Sequence, residues 1–463
     1  MLESDIVALD VEHFSAGGFA WKARRGLRPA VDALCRAAED PGRIAGSVPI
    51  KASLGRSVWR MDLAGQRVYV KRYRVRGLRE QLKYWIVPGR AEAEWRAAVA
   101  IAEAGIEAAL PLAVGVARRG LWLRDAFFVA AEAPGEPYVA LLEALRARRE
   151  DVTPLLRATV ELHERLRAAG ILHPDLHGGN MLARLEDGVP RIALVDLHSI
   201  RFPRFAARRP RPRMRGKLAH ALWRVLRADE FERALQMLAP GEEEDVRDQV
   251  RRIERVRLRS RSRRCVLAST RFARDRAGEW TIWRRREVAG DALLALAAES
   301  RGTSRSVGQL AIGEETREVF VRWRRRPGWL PIWKRLHALS VREIPTWTGV
   351  ACMHRRRFGW LREALLVVER LPDVVPLARA AGAPPDEALQ RAALDAAAQL
   401  HRAGLPARAE DLYAWRDGTQ WRVLQGFFHG GIPDRPRREA RAAEERAALI
   451  ALTAPAQAPT ASR

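Results

Sequence analysis

Cysteine is scarce in this 463-residue chain, and the three present, Cys35, Cys265 and Cys352, lie far apart. That spacing excludes a disulfide-stapled fold and a cysteine-rich zinc site, and it points to a reducing compartment. No uninterrupted apolar run approaches the ~18 to 20 residues that cross a bilayer. The opening Met1-Leu2-Glu3-Ser4-Asp5 is acidic and leads into no apolar core of a signal peptide. A cytoplasmic protein is expected, any contact with the inner face of the cytoplasmic membrane being peripheral. Lysine is nearly absent, occurring only at 22, 51, 71, 83, 217 and 334. Arginine therefore serves wherever positive charge alone is wanted, and a lysine kept inside an apolar strand points to chemistry that suits a compact ammonium.

What is abundant is positive charge. A net charge of +26 and a pI near 11.3 predict attraction to an acidic partner, whether nucleic acid, an anionic membrane surface or a phosphorylated glycolipid. The length allows two or three domains.

The stretch His173-Pro174-Asp175-Leu176-His177-Gly178-Gly179-Asn180, followed by Leu194-Val195-Asp196-Leu197-His198, carries the most chemistry. A phosphotransfer centre needs a carboxylate that orients the acceptor hydroxyl, a carboxamide five residues later and a second carboxylate at a strand end, the last two holding Mg²⁺ against the phosphates of ATP. Asp175, Asn180 and Asp196 supply these groups in order. His177 is expected to brace the loop and His198 to orient Asp196, while His163 reads as a packed or capping residue.

Upstream, a short helix is expected over residues 26–38. Residues 57–63 and 67–73 alternate as a β-hairpin around Ala64-Gly65-Gln66 and end on Lys71. Residues 91–104 favour helix and close at Gly105. Residues 121–132 read as strand and 139–169 as helix. Five strands with one helix, a hinge near 134–137 and then a helical region give an α+β, two-lobed protein-kinase-like fold. In that order Lys71 would hold the nucleotide phosphates and Glu94 would pair with it, with Glu92 as the alternative partner. Ser53 and Gly55, in Ala52-Ser53-Leu54-Gly55-Arg56-Ser57, sit where a phosphate-covering loop belongs, although the segment has a single glycine.

With these residues in view, residues 45–235 resemble the lipopolysaccharide kinase family, which phosphorylates heptose or Kdo sugars of the lipopolysaccharide inner core. Val-Tyr-Val-Lys71, the Glu94-Trp95 helix, the Asp175-to-Asn180 loop and Leu-Val-Asp196-Leu-His carry the resemblance. It implies Lys71 and Glu94 as the ATP-anchoring pair, Asp175 as catalytic base, Asn180 and Asp196 as Mg²⁺ ligands, and lipopolysaccharide core or another acidic glycolipid as acceptor. The Asp-Leu-His-x-Gly-Asn pattern is shared with aminoglycoside, choline and quinone-biosynthesis-type kinases, so a small-molecule or Ser/Thr protein kinase stays open, as does a non-catalytic scaffold. Pro174 replaces the arginine of eukaryotic-type protein kinases, which removes the usual partner of an activation-loop phosphate.

The second half echoes the first. Val319-Phe320-Val321-Arg322 matches Val68-Tyr69-Val70-Lys71, with arginine at the lysine position. Asp411-Leu412-Tyr413 is taken as the counterpart of Asp175-Leu176-His177, with Arg416 where Asn is needed and Val423-Leu424-Gln425-Gly426 where the metal-binding Asp belongs. This reads as a tandem duplication with a degenerate second copy, an unrelated α+β domain being the alternative. The expected organisation is an extension over 1–44, a catalytic domain over 45–250, an Arg-rich linker over 251–264, a pseudokinase domain over 265–435, and a helix with a disordered tail over 436–463. The Arg runs fit phosphate contacts at a glycolipid or anionic leaflet, and the lack of aromatic RNA-binding signatures disfavours nucleic acid.

Overall fold

The computed structural model describes all residues except 1–9, 38–40, 45, 53–54, 76, 78–80, 83, 86, 203–210, 326–327, 382–385, 419, 427–431, 433–436 and 454–463. The chain divides into two units, Met1–Ile253 and Glu254–Arg463. Among the described residues no helix is long and apolar enough to cross a membrane.

The first unit begins with seven strands, β1 (Val11–Ala16), β2 (Phe19–Arg24), β3 (Val48–Ala52), β4 (Arg56–Leu63), β5 (Gln66–Arg74), β6 (Pro111–Arg119) and β7 (Trp122–Ala131). They form one antiparallel sheet in the order β1-β2-β6-β7-β5-β4-β3. Side chains along a strand point alternately to opposite faces, and both faces are covered. Val68, Val70, Phe127 and Val129 face the short helix α1 (Arg28–Arg36). Tyr73, Phe128 and Ala130 face α2 (Arg90–Glu103), whose Trp95 is buried against them. Lys71 is in phase with Tyr73 and not with Val70, so its ammonium is directed to the α2 side.

The expected five strands thus become seven. Residues 11–36 are not an extension ahead of the catalytic unit: β2 pairs with β6 along Ala20–Ala23, and Trp21 and Leu34 are buried in the sheet core. Trp21 stacks on Phe127 at 6.0 Å, and a Cβ on Gly115 would meet the Trp21 ring at 2.7 Å. Only a glycine lets the indole lie flat on β6.

The rest of the unit is helical around a small sheet of β8 (Glu136–Pro137), β9 (Met181–Glu186) and β10 (Val189–Leu194). Asp187 and Gly188, both at positive φ, make the tight β9–β10 turn. Helices α3 (Tyr138–Ala147), α4 (Thr153–Ala168), α5 (Arg211–Trp223) and α6 (Ala228–Leu238) follow, and α7 (Glu243–Ser262) begins in this unit and ends in the second. The Arg-rich residues 251–262 are the end of α7. A parallel bridge between Ala108 and Leu194 ties this part to the chain entering β6.

In the second unit, β11 (Phe272–Ala277), β12 (Trp280–Arg285), β13 (Arg305–Ile312), β14 (Glu315–Arg324), β15 (Gly349–Arg357) and β16 (Trp360–Glu369) order as β11-β12-β15-β16-β14-β13. Strand for strand this is the order of the first six strands of the other sheet. Helix α8 (Gly290–Glu299) falls where α1 falls, and α9 (Leu330–Val341) where α2 falls. The strands β17 (Val375–Pro376), β18 (Leu412–Asp417) and β19 (Gln420–Gln425) form the small sheet, with α10 (Leu377–Ala380), α11 (Glu387–Arg402) and α12 (Glu439–Thr453) around it. The expected tail over 454–463 lies outside the described residues.

Backbone bonds fix how the units correspond and correct one sequence assignment. Asn180 and Asp411 each close a 3-10 turn directly before β9 or β18, and their carbonyls accept from Val195 N and Gly426 N at 3.0 and 2.7 Å. Asp411 therefore stands at the Asn180 position, not at that of Asp175. The matching Gly170 and Gly404 lie ten and seven residues before these points, so the second loop is shorter by three. The motif match on Asp-Leu aligned two loops of different length. Likewise, Gln425 makes the parallel bridge to Thr346 that Leu194 makes to Ala108, which puts the Asp196 position at Phe427, outside the described residues, rather than at Gln425.

If residues 11–36 are part of the fold, Trp21→Ala costs the first unit about 3–5 kcal/mol. Urea unfolding of the full chain followed by near-UV circular dichroism checks this; an unchanged transition would return the segment to the status of an appendage.

Candidate active site

Four elements converge between the large sheet and the helical part of the first unit. Strand β5 presents Lys71, whose Nζ forms a buried ion pair with Glu94 Oε1 on α2 and lies 3.5 Å from Asp196 Oδ1. The other Glu94 oxygen accepts from the Tyr73 hydroxyl at 2.7 Å. Glu94 is 1 % exposed, so both its oxygens are satisfied inside the protein. Glu92 plays a different part: its Oε2 accepts from Gly89 N at 3.1 Å and caps α2.

Asp196 follows β10 in the left-handed region, with φ 60°. This is an uncommon conformation for a residue with a Cβ, though Asp tolerates it better than most. The turn aims the carboxylate at β4 and β5. His198 Nδ1 lies 2.8 Å from Oδ1, and Arg56 on β4 approaches both oxygens, at 3.0 and 3.3 Å. Burial alone would raise the Asp196 carboxyl, but the His198 hydrogen bond, Lys71 and Arg56 outweigh it and hold the group well below the usual carboxylate range.

The loop from His173 to Asn180 is anchored by Leu176, which is buried, and it leaves Asp175 exposed. Asn180 Nδ2 donates to the Asp175 carbonyl at 2.9 Å. Gly179 N donates to His177 Nδ1 at 3.0 Å, and His177 Nε2 lies 3.7 Å from Asp175 Oδ2. The bond from Val195 N to Asn180 O places Asn180 beside the residue preceding Asp196.

Lys71, Glu94, Asn180 and Asp196 are thus brought together, with Asp175 at the open rim. Gly55 enters β4, its carbonyl accepting from Arg74 N at 3.1 Å, and Ser53 lies outside the described residues. His163 is buried on α4 with its Nδ1 3.2 Å from Glu164 Oε1.

Sequence reasoning missed two cations. Arg56 is the partner of Asp196 described above. Lys217 on α5 donates to the Pro174 carbonyl at 2.5 Å, next to Asp175. The rarity of lysine could have singled out Lys217; nothing local marks Arg56 among so many arginines.

Residues 40–222 match the Lipopolysaccharide kinase (Kdo/WaaP) family. That segment holds every one of these site residues, and the family it resembles is one of kinases. No curated protein matches the chain significantly. Among solved structures, WaaP in complex with acyl carrier protein is 19% identical, with 45% of this chain and 86% of that chain covered at a TM-score of 0.36. The BubR1 kinase domain is 11% identical, with 41% and 50% covered at a TM-score of 0.26.

His173 at the head of the loop is fully buried, and burial brings its imidazole down to about 4. Unfolding restores the ordinary value of 6.5. The unfolded chain therefore takes up a proton that the folded chain refuses, and stability that is complete above pH 6.5 falls away toward pH 4. Between those pH values the native chain should lose up to roughly 3 kcal/mol more than a His173→Gln variant. Denaturant midpoints measured against pH for both proteins check the difference.

Proposed function

We propose that the first unit is a Mg²⁺/ATP-dependent kinase that phosphorylates a sugar hydroxyl of lipopolysaccharide core or a related glycolipid. The observation that carries this reading is the convergence of Lys71, Glu94, Asn180 and Asp196 in one cleft with Asp175 at its mouth, inside the segment that matches the family.

The donor set suits a hard divalent cation. Asn180 spends its amide nitrogen on the Asp175 carbonyl, which leaves its oxygen as the available donor, and Asp196 is held ionised. Two such oxygens, completed by phosphate and water oxygens, make the coordination Mg²⁺ favours. Bound there, the ion supplies positive charge against the developing charge on the phosphoryl oxygens. Asn180 and Asp196 would hold it, and Lys71, fixed by Glu94, would hold the nucleotide phosphates. Asp175, exposed and flanked by His177, would orient the acceptor hydroxyl and take its proton at a carboxylate oxygen.

Replacing Asp175 by Asn should lower phosphate transfer by roughly 10²- to 10⁴-fold while ATP still binds. Asp196→Asn should abolish the Mg²⁺-dependent part of binding as well. The test supplies radiolabelled ATP with lipopolysaccharide core, a panel of small alcohols and a protein mixture. Label on core supports the reading, label on metabolite or protein reassigns the acceptor, and a chain that binds no Mg-ATP is a scaffold.

Arg56 occupies both Asp196 oxygens, so it would compete with Mg²⁺ for them. Arg56→Ala should therefore lower the half-saturating Mg²⁺ concentration several-fold, read from Mg²⁺ titrations at fixed ATP. An unchanged value would mean that the Arg56–Asp196 pair opens without cost.

We read the second unit as a degenerate copy that arose by duplication, supported by a strand order that matches six of the seven strands of the first large sheet. Its aligned positions lack the lysine and the αL aspartate. The net charge of +26 favours attraction to an anionic leaflet that presents the glycolipid.

A further inference from the structure

In the second unit the face that corresponds to the Lys71–Glu94–Asp196 cleft is cationic and aromatic. Alternation along β14 sends Val319 and Val321 into the core under α8, and Phe320, Arg322 and Arg324 to the opposite face, toward α9. Arg322 takes the Lys71 position. Ile344 N bonds to Leu339 O as Ile106 N bonds to Ile101 O, and this register puts Ile332 where α2 has Glu94. The acid that neutralises the first cleft has thus become a hydrocarbon.

More positive charge surrounds Arg322. Arg305 on β13 is its direct partner across the ladder, an arrangement of like charges that destabilises a sheet. Arg324 lies over the buried Trp329 ring at 4.7 Å, and Arg322 over the same ring at 5.7 Å. The carboxylate of Glu318, farther along this face of β14, is already paired with Arg370 at 3.1 Å. Burial, Arg305 and Arg324 together push the Arg322 guanidinium below its usual range, with Tyr413 on β18 acting weakly the other way. Tyr413 in turn packs edge-on against Trp347 at 5.1 Å. Asp411 is a single carboxylate at the Asn180 position, with no acidic residue aligned with Asp196.

We propose that this cleft binds a phosphate ester without a metal ion, Arg305, Arg322 and Arg324 supplying the charge that Mg²⁺ supplies in a kinase site. Guanidinium groups suit this because they engage phosphate oxygens bidentately and remain charged when partly buried. The Trp329 ring beneath Arg322 and Arg324 gives the site an apolar floor. The ligand chemistry fits two sources, a nucleotide or a phosphorylated glycolipid. The inference does not depend on catalysis by the first unit.

The test is calorimetric titration of the full chain in EDTA, with ATP in one arm and delipidated, phosphorylated lipopolysaccharide core oligosaccharide in the other. At least one should bind, and the double variant Arg322→Ala/Arg324→Ala should weaken that binding tenfold or more. Arg305→Ala, at an exposed position where folding is not at stake, should weaken it several-fold. Binding of ATP assigns the site to a nucleotide and binding of the oligosaccharide to a glycolipid phosphate. Three results would overturn the proposal: no binding in either arm, affinities within twofold of the wild type in both variants, or binding lost in Lys71→Ala and untouched by the arginine variants.

Discussion

The buried pair of Lys71 and Glu94 sets the geometry on which the candidate site of the first unit depends. It joins the middle of a sheet to a helix, and through Asp196 it reaches a turn in the other part of the unit. Ion pairs in such places contribute little net stability, because desolvating both groups offsets most of their attraction. Their effect is positional. Tyr73 fills the second oxygen of Glu94, so the carboxylate cannot turn away, and the ammonium is held where β5, α2 and the Asp196 turn meet. Covering both faces of the sheet serves the same end. With α1 sealing the Val68 and Val70 side, the alternate residues Tyr73 and Lys71 have one direction left to point.

The electrostatics of the cleft are also one problem with a shared solution. Asp196 is partly buried, which by itself favours the neutral acid, yet three neighbours hold it ionised. Two of them, Lys71 and Arg56, carry full charge where the phosphates of a nucleotide are proposed to lie. The site thus keeps a carboxylate ready for a cation and cations ready for an anion by pairing them with each other.

How much of this was legible depended on how far each feature reached along the chain. The hairpin, α2 and the loop from Asp175 to Asn180 were readable because alternation, helix formers and fixed motif spacing are local signals. Glu94 could be preferred to Glu92 on the strength of Trp95, and the fold separates them: Glu92 caps its own helix, while Glu94 enters the core. The two added strands carry a local mark, the Gly17-Gly18 turn of the β1–β2 hairpin, but the pairing of β2 with β6, about ninety residues later, leaves none in a short window. Arg56 meets Asp196 across 140 residues. The correspondence of Asp411 with Asn180 was hidden by a loop three residues shorter, a difference the backbone bonds register and the motif does not.

The second unit separates what the architecture needs from what the chemistry needs. It reproduces the strand order, the two sheet-covering helices and a buried tryptophan, Trp333, at the place of Trp95. Yet it has Arg322 for Lys71 and Ile332 for Glu94. If the ion pair were required to build this sheet against this helix, the second unit could not hold the same arrangement without it. Apolar alternation along the strands and the tryptophan under the sheet are therefore sufficient for the fold. Burying Lys71 and Glu94 adds a desolvation cost that an apolar pair avoids, and a cost carried without structural need points to a demand made by the site. The same reasoning applies to the facing arginines of the second unit: Arg305 and Arg322 oppose each other across the ladder, and the proposed phosphate ester would turn that repulsion into attraction.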